Sequence, residues 1–97
     1  MKKKYTERGF ALYEMVDLYE NNYSLQKSSL ATEDAIWFGI DDANPQIMAS
    51  KIIPNGTGWA KYTIPKDVLL TTRMHLSRDQ VKELIPILQK FVDTGEI

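Results

Sequence analysis

Arg73 and His75 stand two residues apart in the stretch Arg73-Met74-His75-Leu76-Ser77-Arg78-Asp79-Gln80, which reads as a strand running straight into a helix. On a strand that spacing brings both side chains out on one face, about 7 Å apart, with Met74 and Leu76 opposite. A guanidinium grips phosphate or carboxylate through two parallel hydrogen bonds, and an imidazole adds a donor or titrates near neutrality. The pair therefore suits an anion, although an Arg in a surface ion pair beside a half-buried His gives the same spacing.

A second polar set lies at Tyr23–Ser28, where Ser24, Gln26 and Ser28 alternate with Tyr23, Leu25 and Lys27 and Ser29 continues the polar side. Hydroxyls and an amide in a row suit phosphate oxygens or the edge of a base. A strand with one solvated face has the same pattern. Trp37 and Trp59 are large enough to stack on a purine or a partner. Trp37 sits within an apolar run and fits a core better than a stacking wall, whereas Trp59 follows a glycine-rich loop and is the better stacking candidate.

The elements that position these residues are those of a small α+β protein. Residues 9–19 are rich in aromatic and aliphatic types and predict a strand, with the Ala11/Met15 spacing keeping a helix open. Asn21-Asn22 predicts the turn of a hairpin into the strand at 23–28, because Asn tolerates positive φ. Ala35–Ile40 reads as a buried central strand. Residues 47–53 fit either a strand or a short helix. Pro54-Asn55-Gly56-Thr57-Gly58 is a loop, Trp59–Ile64 a strand stopped by Pro65, and Val68–Leu76 the last strand. Thr32 is placed to cap a brief helical turn.

The C-terminal helix has every local signal. Ser77 and Gln80 form a capping box, and Val81, Leu84, Ile85, Leu88, Phe91 and Val92 make one apolar stripe. Gly95 stands where a left-handed residue ends a helix. Pro86 interrupts the pattern by removing a backbone donor, and either bends the helix around a sheet or marks a partner-facing surface. The expected fold is an antiparallel sheet with this amphipathic helix packed on one face.

Composition limits the function classes. The chain has 97 residues, 43% hydrophobic and 26% charged, which predicts a single domain over residues 1–97 whose small core leaves a narrow stability margin. A formal net charge of −1 disfavours generic nucleic-acid binding. Lys2-Lys3-Lys4, the one basic block, reads as a solvated, frayed terminus. The absence of cysteine excludes disulfides and thiolate metal sites and fits a reducing cytosol. No signal peptide or membrane-spanning run is visible, so a cytoplasmic protein is expected.

Enzyme signatures are missing: there is no phosphate-binding glycine loop, no nucleophile elbow and no paired-histidine metal motif. Asp41, Asp42 and Asn44 lack the spacing of a calcium loop. His75-Leu76-Ser77 looks like half of the two-histidine phosphoesterase signature, but the chain has one His. No catalytic residue, metal or cofactor is expected.

The segments Ser24–Trp37, with Gln26-Lys27-Ser28-Ser29-Leu30-Ala31, Arg73-Met74-His75-Leu76-Ser77, and Leu84–Glu96 resemble a family of small phage and prophage proteins. Those proteins begin with a strand, carry Gln-x-Ser-Ser-x-Ala before a Trp, and end in Arg-Met-His-Leu plus an amphipathic helix. The match covers about two thirds of the chain and leaves out residues 42–66. The resemblance implies an accessory protein of a bacterial virus that acts stoichiometrically against host defence. One form of that activity is a sponge that sequesters a cyclic oligonucleotide or a cyclic ADP-ribose isomer. On that reading the ligand-binding residues are Arg73, His75, Gln26, Ser28, Ser29, Trp37 and Trp59, and a homo-oligomer would enclose the ligand. The alternatives are an interaction module that inhibits a host defence protein or nuclease, and a virion or replication accessory.

Overall fold

Aromatic and β-branched residues suit a pleated, half-buried surface. They cluster in the three six-residue strands β2 (Ala11–Val16), β3 (Asn22–Lys27) and β4 (Ala35–Ile40). In this computed structural model, which describes all of residues 1–97, these strands join β1 (Lys2–Tyr5) and β7 (Arg73–Ser77) in one antiparallel sheet of order β1-β2-β3-β4-β7. Helix α1 (Arg78–Thr94) follows β7 directly. The α+β class is the one expected.

The chain divides into two compact units. Residues 1–41 and 73–97 carry the five-stranded sheet and α1. Residues 42–72 carry a two-stranded ribbon of β5 (Gln46–Met48) and β6 (Trp59–Lys61), with a 3-10 turn at Ala49–Lys51. The ambiguous segment 47–53 is thus strand first and helical turn afterwards.

Pairing register sorts the side chains of the larger sheet into two faces, because directly opposed residues share a face. One face takes Leu25, Phe38 and Met74 in one row and Lys27, Ile36 and Leu76 in the next. The other takes Gln26, Trp37 and His75, then Ser24, Gly39 and Arg73. The first face is largely apolar and the second largely polar.

Several local expectations change. Lys2–Lys4 is not a frayed end: β1 pairs with β2, and Lys4 Nζ lies 2.8 Å from Glu14 Oε2. The lysines suit this position because charge on an edge strand discourages further pairing. The hairpin turn lies earlier than Asn21-Asn22, since Asp17 organises it. Its Oδ1 accepts the backbone N–H of Tyr19 and Asn21, and Glu20 takes the left-handed conformation at φ 65°. Residues 31–33 bend without forming a helical turn, so Thr32 caps nothing. Strand pairing in β6 ends at Lys61, and β7 begins only at Arg73.

Helix α1 forms as its signals require. Ser77 Oγ accepts the Gln80 N–H, the Gln80 side chain accepts the Ser77 N–H, and Gly95 is left-handed at φ 78°. The helix continues through Pro86. Its packing is less than expected: α1 meets the sheet chiefly at β7, and none of its residues is buried. Val81 and Leu84 are half-covered, while Ile85, Leu88, Phe91 and Val92 stay exposed. The reason is geometric. Strand and helix share the junction Ser77-Arg78 with no loop, whereas a helix returning across its own sheet needs several connecting residues.

Hydrogen bonds to the Asp17 carboxylate, first of all from the Asn21 N–H, hold its pKa below the usual value. A depressed carboxyl contributes stability above its unfolded value of about 3.9 and loses it as pH falls through the folded value. Asp17→Ala should therefore lower the melting temperature at neutral pH. In melts taken down a pH series, the gap to wild type should close as the pH drops below about 4.

Candidate functional site

The polar face of β3, β4 and β7 brings together residues that lie far apart in the chain. Trp37 and His75 are directly opposed in the register, and their rings stack with centroids 3.9 Å apart and planes within 7°. Such aromatic pairs contribute about 0.5–1.5 kcal/mol beyond area burial. His75 Nε2 lies 2.9 Å from Ser28 Oγ, and the same hydroxyl accepts the Leu30 N–H at 3.1 Å. Ser28 is only 4% exposed, so it anchors the imidazole from beneath.

Arg73 sits one row along, on the same face. Its Nη1 donates to Gln26 Oε1 at 3.2 Å, and its guanidinium carbon lies 5.8 Å from the Trp37 ring centroid. No carboxylate lies within salt-bridge distance of it, while Lys4 pairs with Glu14, and Lys27 and Arg78 share Asp34. A guanidinium has five N–H donors, and one is used here. Gln26, in turn, keeps its amide hydrogens for another acceptor.

Gly39 leaves this face without a side chain at the position between Ser24 and Arg73. Ser24 is 4% exposed and donates its hydroxyl to Asp41 Oδ1 at 2.7 Å. Beside the guanidinium, therefore, the surface is low. Sequence reading put Ser24 in the polar row without making it a site residue, weighed Asp41 only as a calcium ligand and passed over Gly39. The parity of Gly39 with Trp37 would have signalled the first gap, had the apolar run at 35–40 not hidden the alternation.

Five of the seven expected binding residues meet here: Arg73, His75, Gln26, Ser28 and Trp37. Trp37 is half-buried on the polar face and not in a core. Ser29 lies beyond the end of β3 and is exposed. Trp59 belongs to the second unit, on β6, and is 67% exposed. The cluster itself is built wholly from the first unit.

The cluster offers donors and a flat ring surface side by side. An uncompensated guanidinium held over an indole offers an anion a fixed fork of donors, and the neighbouring stacked rings offer a flat apolar surface. The cavities of this unit lie elsewhere, at the helix junction, at a sheet corner and on the apolar face, so the cluster is an open platform. No helix is long and apolar enough to cross a membrane. Comparison with protein-family models, curated proteins and solved structures returned no match to the chain.

With no ionic partner, Arg73 contributes little to the fold. Arg73→Ala removes one long, part-exposed hydrogen bond from the charged guanidinium to a neutral amide and should cost about 1 kcal/mol. Ser28→Ala should cost more, about 1–2 kcal/mol, because it removes a nearly buried hydroxyl that the Leu30 N–H and the imidazole share as partner. Denaturant titration of both variants at one fixed protein concentration compares them directly.

Proposed function

We propose that this protein binds a small, phosphate-bearing nucleotide-derived molecule on the polar face of β3, β4 and β7. The observation that carries the reading is the Arg73 guanidinium, half-buried, held by Gln26 beside the Trp37–His75 stack and facing no carboxylate. A structural ion pair would have supplied that carboxylate. Arg73 takes the phosphate, Gln26 adds an amide donor, and a base extends the aromatic stack. Ser28 holds His75 in place without itself meeting the ligand.

The role is stoichiometric capture and not turnover. The net charge of −1 disfavours a polyanion and leaves local recognition of one or two phosphates. Together with the resemblance to small phage proteins, this supports an accessory protein of a bacterial virus, acting in the host cytoplasm, that sequesters a cyclic oligonucleotide or a cyclic ADP-ribose isomer used as a defence signal.

The test is a thermal-shift panel of cyclic dinucleotides, cyclic oligonucleotides and ADP-ribose isomers, followed by titration of each hit. A ligand at a hundred times its dissociation constant stabilises the fold by about 2.7 kcal/mol, a rise of several degrees. Trp59→Phe leaves Trp37 as the single tryptophan, so stacking on the platform should quench its fluorescence. Arg73→Ala should abolish both responses. A flat panel, or a shift that survives Arg73→Ala, rejects the site.

A further inference from the structure

We infer that α1 and the apolar face of the large sheet form a self-association surface, and that the distal half of α1 packs on the sheet of a second copy of this chain. The uncovered apolar residues of the larger unit make the case. No large side chain is fully buried, and Ala35 is the only buried hydrophobic residue, so one copy alone has almost no core.

The exposed apolar groups lie where a two-fold contact needs them. Leu88, Phe91 and Val92 are 49%, 54% and 76% exposed along one stripe of α1. The sheet offers Met74, 54% exposed, in one row with Phe38 and Leu25. A cavity of about 340 Å³ between sheet and helix, lined by Ile36, Leu76, Val81 and Ile85 among others, continues that face. Beyond that cavity the distal half of α1 is uncovered by its own sheet. A two-fold axis satisfies both surfaces at once, since each helix covers the other copy's sheet.

Charge agrees with this pairing. Lys27, Arg78 and Lys82 line the cavity against the single carboxylate of Asp34. The last turn of α1 has no basic residue, and it carries the negative end of the helix dipole together with Asp93. The helix end of one copy is thus complementary to the basic rim of the other. This surface lies on the opposite face from the Arg73 cluster, so the inference does not depend on the proposed ligand.

Sedimentation equilibrium of the full chain should give a mass of at least twice 11.2 kDa, with a melting temperature that rises with protein concentration. Phe91→Glu should weaken association at least a hundredfold. A wild-type chain that is folded and monomeric at 100 micromolar overturns the inference and leaves the face to a foreign protein. Because Phe91→Glu could unfold a chain with so little core, a second measurement is needed. The chain has no cysteine, so Leu88→Cys and Met74→Cys can be made singly at exposed positions and mixed. Oxidation should join unlike copies in preference to like ones. Self-association without that mixed disulfide overturns the assignment of helix to sheet.

Discussion

The antiparallel register of β3, β4 and β7 is the constraint on which the rest of this structure depends. It places Gln26, Trp37 and His75 in one row across the sheet and Ser24, Gly39 and Arg73 in the next. Side chains alternate with a period of two, so a slip of one residue would exchange the polar set for Leu25, Phe38 and Met74. Backbone bonds pin both ends of the β3–β4 pair: the Ser28 N–H donates to the Ala35 carbonyl and the Asp41 N–H to the Asn22 carbonyl, each at 2.9 Å. The Trp37–His75 stack adds a side-chain preference for the same alignment of β4 with β7. The polar cluster and the apolar face are two consequences of one pairing.

Ser77 links that sheet to the helix and serves both. Its residue is the last of β7, opposed to Ala35, and its hydroxyl caps α1. A strand that becomes a helix at a single residue transmits its direction to the helix. The apolar stripe of α1 is therefore carried off the edge of the sheet, and the burial that stabilises most amphipathic helices is missing within one chain. A domain of 97 residues has little stability to spare, which makes an intermolecular core the natural remedy.

Electrostatics separates the two faces as well. Lys27 and Arg78 are balanced by Asp34, whose carboxyl lies below its usual range chiefly because Lys27 donates a hydrogen bond to it. These charges line an apolar cavity. Arg73 has no such balance and is supported instead by an amide and an aromatic ring, both neutral. A half-buried cation kept in this way has no ionic partner within the chain.

Much of this was legible along the chain. The capping box at Ser77 and Gln80, the stripe of α1 and the left-handed Gly95 are local patterns with local causes, as is the shared parity of Arg73 and His75. Edge strands were less legible, because pairing partners and not propensity decide that Lys2–Tyr5 is a strand and that β7 starts at Arg73. Trp37 was harder still: Ala35–Ile40 is apolar on both parities, and only its neighbours reveal which side faces the polar set. By itself the sequence determined the C-terminal helix with its caps and the strands at the centre of the sheet, since each depends on groups within a few positions. Tertiary structure alone decided that Gln26 and Arg73, 47 residues apart, touch, and that α1 leaves its stripe uncovered. Both depend on inter-strand register and on the direction of a loop-free junction, which no local pattern of residues encodes.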